Sequence, residues 1–250
     1  MKKASKKEKA IILCGGLGTR LRETIGERQK TMAEVKGVPF LLHIINYLKN
    51  EGVNQIIFAC GYKSEEIVHF FGNGSEFGIV ASFSAEFSPL GTGGAIRNAL
   101  KFLRAEDDRV FILNGDTDFR VDLDSLIENM EEYDTDCSIA IKEINDKSRY
   151  GSIKLKNNNK SDIVISFDEK VNDYKNENVK EVDKDSANFI NGGIYLMKKE
   201  LIQTIEEDKK ISLEKELFPH WLKEKIIIGG VVSDKDFVDI GTKESYESVK

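Results

Sequence analysis

The chain has 250 residues, a net charge of −6 and an isoelectric point of about 5.4, which suits one large α/β domain with a full core. The acidic balance argues against a nucleic-acid-binding protein, and no apolar run approaches the roughly 18 residues of a membrane span. The basic start lacks the apolar segment of a secretory signal, and three widely spaced cysteines fit no zinc or redox pattern, so we expect buried thiols and a cytoplasmic protein.

The first half of the chain alternates between apolar strands and amphipathic helices. Strands are predicted near residues 10–13, 55–60, 79–84 and 110–113, and helices near 39–50, 64–71, 93–103 and 125–133. Ser64 is predicted to cap the second of these helices, and Ser125 is predicted to open a capping box with Glu128. This alternation predicts βαβ units and therefore an α/β fold with a doubly wound, mostly parallel sheet.

The second half is richer in strands. They are predicted near 137–143, 151–156, 163–167, 188–197 and 226–232, with one helix near 213–223 that is interrupted at Pro219 and a short terminal helix after Thr242. The charged segment 170–185 is predicted to be a mobile loop. Because no linker or internal repeat is visible, we expect residues 1–250 to form a single domain.

A glycine-rich loop follows the first predicted strand. Gly15, Gly16 and Gly18 leave backbone N–H groups unshielded, and Arg20 and Lys30 add positive charge nearby. Bare amides followed by cations suit a triphosphate. The spacing fits neither the P-loop nor the dinucleotide-binding fingerprint. The alternative is a glycine-rich turn between a strand and a helix that binds no ligand.

A second run of small residues, Gly91-Thr92-Gly93-Gly94, leads directly into a predicted helix. Backbone N–H groups at a helix start point outward, and a flat base could lie on such a loop. The alternative is a helix entry that needs small residues for packing.

Asn114-Gly115-Asp116 follows a predicted central strand at its carboxyl end, the edge where open α/β sheets bind ligands. A carboxylate there can hold Mg²⁺, which prefers oxygen ligands. On its own, Asp116 is better explained as a solvated loop acid or a helix cap.

These motifs together resemble the sugar-phosphate nucleotidyltransferases, which join a nucleoside triphosphate to a sugar 1-phosphate. The resemblance runs from Ala10 to Thr242. It implies a Rossmann-like nucleotidyltransferase fold, with a nucleotide-binding half at about 9–135 and a smaller, β-rich sugar-binding half at about 136–242. The hexapeptide repeats that some members carry are absent from the sequence.

The resemblance also implies roles for individual residues. Arg20 and Lys30 would stabilise charge on the reacting phosphates, and Asp116 and Asp239 would hold Mg²⁺. The nucleotide would bind to Leu13, Gly15, Gly16, Gly18, Thr19, Glu86, Gly91 and Thr92. The sugar would bind to Asn114, Gly151, Glu169, Lys170, Asn191 and Gly192.

Within the family, segments 36–41 and 86–95 are most similar to the D-glycero-α-D-manno-heptose 1-phosphate guanylyltransferase branch. That branch implies GTP and a heptose 1-phosphate as substrates, giving GDP-heptose and pyrophosphate for surface polysaccharide synthesis. The alternatives are another base (CTP, UTP or dTTP), a hexose 1-phosphate, or a catalytically silent, nucleotide-sensing subunit. A homo-oligomer is left open.

One departure from the family concerns the segment around Lys30. The family usually carries Pro-Lys-Pro, whereas this chain has Gln29-Lys30-Thr31. Because two fixed φ angles are lost, we expect this loop to be more flexible and Lys30 to be held less firmly.

Overall fold

The computed structural model describes residues 8–144, 151–168 and 188–250. Most of the basic tail and the segment 170–185, predicted as a mobile loop, lie outside the described residues. No helix in these three ranges is long and apolar enough to cross a bilayer.

Within those ranges the chain forms thirteen strands and eight α-helices. The strands are β1 (Lys9–Cys14), β2 (Glu34–Val35), β3 (Val38–Pro39), β4 (Gln55–Cys60), β5 (Val80–Ala85), β6 (Arg109–Asn114), β7 (Thr117–Phe119), β8 (Cys137–Glu143), β9 (Ser152–Leu155), β10 (Ser161–Asp168), β11 (Phe189–Lys198), β12 (Ile228–Ser233) and β13 (Phe237–Asp239). The helices are α1 (Arg22–Ile25), α2 (Phe40–Asn50), α3 (Ser64–Phe71), α4 (Gly91–Ala99), α5 (Leu123–Tyr133), α6 (Lys199–Gln203), α7 (Phe218–Lys223) and α8 (Lys243–Glu247).

Nine of these strands form one sheet in the order β5-β4-β1-β6-β11-β8-β12-β10-β9. Only β11 and β10 run against the others, so the prediction of a mostly parallel sheet is confirmed. Successive residues of β1 belong to opposite faces: Ile12 is buried with α2, α3 and α5, and Ile11 with α4, α6 and α7. Apolar packing on both faces makes the sheet doubly wound.

The parallel register gathers the site at one edge of the sheet. Leu13 lies beside Ala59 of β4 and Asn114 of β6, so the segments that leave β1, β4 and β6 meet there. β5 ends in register with β4 and delivers Glu86 to the same edge. β13 pairs with β7 and brings Asp239 opposite Thr117, the neighbour of Asp116.

Both predicted helix caps are wrong. Ser64 is the first residue of α3; Lys63 occupies the cap position with a left-handed backbone and makes no side-chain cap. α5 begins at Leu123, and the carboxylate of Asp122 caps it by accepting from Asp124 N. Ser125 therefore lies inside the first turn, where its hydroxyl donates to Asp122 O.

The helix predicted at 213–223 is confirmed with a change of form at Pro219. A π-helical turn, Leu213–Leu217, runs directly into α7. Pro219 is the second residue of α7, so the residue without an N–H lies just after the π-helical turn changes to α-helix. The three cysteines are free and buried as predicted, and burial raises the pKa of the Cys60 thiol to about 12.

Candidate active site

A cavity of about 320 Å³ opens at the carboxyl edge of the parallel strands. Its wall combines apolar and small residues with charged side chains from several elements. The lining residues are Leu13, Gly15, Gly16, Leu17, Glu86, Pro89, Gly91, Thr92, Ala95, Asn114, Asp116, Lys210 and Glu214. The structure therefore brings together most of the predicted nucleotide-binding residues with Asn114 and Asp116.

Two glycines support the Glu86 carboxylate. A Cβ atom on Gly15 would stand 2.7 Å from Glu86 Oε1, and one on Gly61 would overlap the same oxygen. Gly61 follows β4 and was not among the predicted site residues. Both positions must lack a side chain for the carboxylate to lie where it does.

Glu86 is half-buried and anchored through one oxygen. Its Oε2 accepts from Leu90 N at 3.0 Å, while no donor from the described residues bonds Oε1. Burial raises the pKa of the Glu86 carboxyl, and the bond from Leu90 N partly offsets this rise. A carboxylate with one uncommitted oxygen in a cavity wall can accept hydrogen bonds from a ligand.

Lys30 and Asp116 form an ion pair at the other side of the glycine loop. Lys30 Nζ lies 2.5 Å from Asp116 Oδ2, with side-chain exposures of 14% and 32%. Lys30 begins the 3₁₀ turn Lys30–Met32, and its stem packs against Gly18, where a Cβ would stand 3.1 Å from Lys30 Cβ. The pair places a cation and an anion beside the predicted phosphate position.

The neighbours of Lys30 are held by hydrogen bonds. Gln29 is fully buried; its Nε2 donates to Cys14 O, and its Oε1 accepts from both the backbone N–H and the hydroxyl of Thr31. Gln29 N also donates to Glu66 Oε2 at 3.0 Å. The expectation of a more flexible segment stays a prediction, and side-chain hydrogen bonds constrain the backbone on both sides of Lys30, where the family usually carries prolines.

The residues present fit a divalent cation. Asp239 lies beside Asp116, since Ile240 N donates to Asp116 O at 3.0 Å and Asp239 pairs with Thr117. Two carboxylates near the predicted phosphate position suit Mg²⁺, which takes one or two carboxylates and completes its shell with substrate oxygens and water. Within the described residues, no cluster of three or more metal-binding side chains occurs, so a cage made entirely of protein ligands is absent there.

The start of α4 supports the packing alternative at part of this loop. A Cβ on Gly91 would stand 2.5 Å from Ile211 O, one on Gly93 would stand 2.5 Å from Leu217 Cδ1, and one on Gly94 would overlap Lys209 O. Gly93 N donates to Ile211 O at 3.0 Å. These glycines make room for the segment 209–217, so the packing alternative describes Gly93 and Gly94, while Gly91 and Thr92 also line the cavity.

Glu214 and Lys210 line the cavity and were missed by sequence reasoning. Glu214 Oε2 accepts from Thr92 Oγ1 at 2.7 Å, and its Oε1 accepts from Tyr195 OH at 3.4 Å. Asn191 Nδ2 in turn donates to Tyr195 OH at 2.7 Å. No motif marks Glu214, because only the pairing of segment 209–217 with α4 brings it to the site.

The remaining predicted residues lie away from the cavity wall. Thr19 and Arg20 are exposed on the loop, and Gly151 is buried just before β9. Gly192 packs on Phe119, since a Cβ there would stand 2.5 Å from the ring. Two predicted sugar-binding residues lie outside the described residues, Glu169 and Lys170.

Sequence comparison decides the family. The family described as Nucleotidyl transferase matches residues 9–250. The chain belongs to the nucleotidyl transferase family. This nucleotidyl transferase is 41% identical over 238 residues to the D-glycero-alpha-D-manno-heptose 1-phosphate guanylyltransferase of Campylobacter jejuni, covering 95% of this chain and 96% of the relative. It is 37% identical over 242 residues to the protein of the same name from Aneurinibacillus thermoaerophilus, covering 96% of each.

A solved structure supports the same assignment of the nucleotidyl transferase fold. HddC from Yersinia pseudotuberculosis, complexed with GMP-PN, superposes with a TM-score of 0.78 at 32% identity, covering 97% of both chains. The expected nucleotidyltransferase fold is confirmed.

Proposed function

We propose that this nucleotidyl transferase transfers a guanylyl group from GTP to D-glycero-α-D-manno-heptose 1-phosphate, giving GDP-heptose and pyrophosphate. The observation that carries the choice of base is Glu86, a cavity-lining carboxylate that packs on Gly15 and Gly61 and whose Oε1 accepts no hydrogen bond from the described residues. The two relatives named as heptose 1-phosphate guanylyltransferases support the choice of sugar, because they match nearly the full chain.

Guanine differs from adenine by presenting two adjacent donors, N1–H and the exocyclic amine. Glu86 is an acceptor that suits this pair. Adenine offers an unprotonated N1 at the same place and would leave the half-buried carboxylate unpaired, a cost that discriminates against it. Leu13 and Pro89 in the same wall supply apolar contact for the faces of the base.

The reaction is an in-line displacement. A phosphate oxygen of the sugar 1-phosphate attacks the α-phosphorus of GTP and forms a P–O bond. The bond from that phosphorus to the α–β bridging oxygen breaks, and pyrophosphate leaves with the electron pair. No covalent enzyme intermediate is needed, so the protein contributes positioning and charge stabilisation.

The roles of the residues follow from their positions. The Gly15–Gly16 backbone binds the phosphates, and Lys30 stabilises the charge that develops on them, joined by Arg20 from the exposed loop. Asp116 and Asp239 would hold Mg²⁺, which when bound supplies positive charge to the reacting phosphates. Mg²⁺ held there would share Asp116 with Lys30.

For the sugar, we propose binding by the polar residues on the β11 side of the cavity, with Glu214 as an acceptor for ring hydroxyls. Glu214 connects Thr92 of α4 to Tyr195 and Asn191 of β11. The sugar-binding residues predicted from the sequence belong to the same proposal: Asn114, Gly151, Glu169, Lys170, Asn191 and Gly192. The three buried free thiols fit a reducing cytoplasm, where the nucleotide substrate is made.

The test is pyrophosphate release by purified protein with Mg²⁺, one triphosphate at a time and a panel of heptose and hexose 1-phosphates. GTP should give the highest kcat/KM among GTP, ITP, ATP, CTP, UTP and dTTP. ITP, which lacks the exocyclic amine, should lie between GTP and ATP. Glu86→Gln should narrow the preference for GTP over ATP, with Glu76→Gln, an exposed carboxylate on the 3₁₀ turn Ser75–Phe77, as the matched control.

Three outcomes contradict parts of the proposal. A pyrimidine triphosphate with the highest kcat/KM rules out guanylyl transfer. An unchanged GTP preference in Glu86→Gln removes Glu86 from base recognition. Nucleotide binding without turnover on any sugar phosphate favours the silent, nucleotide-sensing subunit.

A further inference from the structure

The residue before Lys30 is an uncharged polar side chain with no exposed surface. Gln29 is 0% exposed and Thr31 is 3% exposed, while Lys30 between them reaches into the site. We propose that Gln29 is a positioning residue: its carboxamide fixes Lys30 between the glycine loop and Asp116 for the transfer step. This inference rests on one part of the proposed function, the role of Lys30 in stabilising charge on the phosphates.

Both ends of the Gln29 amide are used. Nε2 donates to the carbonyl of Cys14, the last residue of β1, at 2.5 Å. Oε1 accepts from Thr31 N at 2.5 Å and from Thr31 Oγ1 at 2.6 Å. A primary amide is a donor and an acceptor at once, so neither a carboxylate nor an apolar chain of the same length can make this set of bonds.

These bonds tie the backbone on each side of Lys30 to a different element. On the N-terminal side, Gln29 N donates to Glu66 Oε2 of α3 at 3.0 Å. On the C-terminal side, Thr31 N is bound to the Gln29 amide, which is itself bound to β1. Lysine has a flexible four-carbon stem, so a fixed backbone is what can limit where its ammonium group lies.

Packing connects Lys30 to the glycine loop and Thr31 to the residue before Asp116. A Cβ on Gly18 would stand 3.1 Å from Lys30 Cβ, so the glycine loop lies directly on the lysine stem. A Cβ on Gly115 would stand 3.0 Å from the methyl group of Thr31, so Thr31 packs on the residue before Asp116. A shift of Gln29 would therefore alter the position of Lys30 relative to the loop and to Asp116.

The first experiment is a double-mutant cycle on turnover, using Gln29→Met, Lys30→Ala and the combined variant. Misplacement by about 1 Å can cost roughly 100-fold in rate, so we expect Gln29→Met to lower kcat by about 10- to 100-fold with little change in the KM for GTP. In the Lys30→Ala background the same substitution should cause no further loss, because its target is already gone. If Gln29→Met multiplies the loss of Lys30→Ala by its full factor, Gln29 acts independently of Lys30 and the proposal is wrong.

Thr31 provides a matched pair of variants. Thr31→Ser keeps the hydroxyl bonded to Gln29 Oε1 and should retain turnover, whereas Thr31→Val keeps the shape but loses that bond and should lower kcat. The reverse order would mean that methyl packing on Gly115 matters and the amide does not. If Gln29→Met fails to fold, Thr31→Val takes its place in the cycle.

The second experiment needs no substrate. The ligand-free protein is labelled with an amine reagent, and mass spectrometry follows Lys30 and the exposed Lys225 as an internal control. Gln29→Met should increase the labelling rate of Lys30 several-fold and leave Lys225 unchanged. Unchanged labelling of Lys30 in the folded variant overturns the positioning role. Faster labelling in a protein that turns over no sugar phosphate refutes the proposed function and leaves the positioning role standing.

Discussion

The substitution Gly61→Ala tests whether Gly15 and Gly61 fix the position of the Glu86 carboxylate, which we propose binds the base. In Gly61→Ala, the new methyl group would overlap Glu86 Oε1 and stand 2.9 Å from Gly15 O and 3.1 Å from Gly15 Cα. The backbone of Gly15, in the loop after β1, must therefore shift slightly, because 2.9 Å is shorter than a Cβ atom tolerates. Glu86 must also give way, although Leu90 N holds its other oxygen at 3.0 Å.

The size of the effect follows from this crowding. Overpacking of this kind costs about 1–3 kcal/mol, and each kcal/mol lowers the melting temperature of a 150–250-residue domain by roughly 2–4 °C, so we expect a fall of about 2–12 °C. A carboxylate displaced by about 1 Å can cost up to roughly 100-fold in kcat/KM. The loss should be larger for GTP than for ATP, because only guanine uses the Glu86 oxygen.

Thermal melting followed by circular dichroism and steady-state pyrophosphate release with GTP and ATP measure both effects. The combined variant Gly61→Ala with Glu86→Ala should recover part of the melting temperature, since the shorter side chain removes the overlap. It should not recover the preference for GTP. A Gly61→Ala protein with unchanged melting temperature and an unchanged GTP-to-ATP ratio would refute the idea that Gly15 and Gly61 set the position of Glu86.

Three further predictions concern the phosphates, the metal and the pH dependence. Gly16→Ala should leave the melting temperature unchanged, because nothing lies within 4 Å of its Cβ position, but should raise the KM for GTP if phosphate occupies that space. Asp116→Asn and Asp239→Asn should each remove most turnover, since an amide is a poor Mg²⁺ ligand, whereas the matched control Asp118→Asn should retain it. Normal turnover of Asp116→Asn or Asp239→Asn at low Mg²⁺ would contradict the metal assignment. Burial raises the pKa of the Glu86 carboxyl, so the charged carboxylate lowers the free energy of unfolding at pH values above the pKa of Glu86 in the unfolded chain. Glu86→Gln should therefore be at least as stable as the wild type at pH 7, and the difference in stability should vanish as the pH falls below that unfolded pKa. The preference of the wild type for GTP over ATP should decline at acid pH, whereas the preference of Glu86→Gln should not change with pH.

The fold could be predicted because its signals are local. Short apolar runs such as 55–60 and 137–143 coincide with β4 and β8, since buried parallel strands leave continuous apolar sequence. Helix caps were predicted less well: α3 has no side-chain cap, and at α5 two polar residues near the helix start could each have capped it. In α5, Asp122 and Ser125 both offer an oxygen, and the direction in which the chain enters the helix decides for Asp122.

The candidate site could be predicted only in part, because some of its residues are brought there by contacts that are distant in the sequence. Gly15, Glu86 and Asp116, which lie in or beside a motif, were predicted and line the cavity, and Lys30 pairs with Asp116. Glu214 was missed, because its place depends on the pairing of segment 209–217 with α4, a contact between residues more than 100 positions apart. The hydrogen bonds that constrain the backbone around Lys30 were not predicted, because proline signals rigidity in a sequence, whereas a buried glutamine bonded to Cys14 and Thr31 leaves no such signal.

The glycines at this site have two different functions, leaving space for a ligand or leaving space for another part of the protein, and the sequence alone does not tell them apart. Gly16 faces open space, where a ligand can approach the backbone, but Gly18, Gly93 and Gly115 are filled from behind by Lys30, Leu217 and Leu13 O. A loop made only for phosphate would need the first kind, and a loop made only for packing would need the second. Both kinds occur together in the first loop, where Gly18 packs on the stem of Lys30 and Gly16 leaves its backbone open, whereas the glycines at the start of α4 and Gly115 are all of the packed kind. Substitutions that fill Gly16 should therefore affect binding without stability, whereas substitutions at the packed glycines should lower both together.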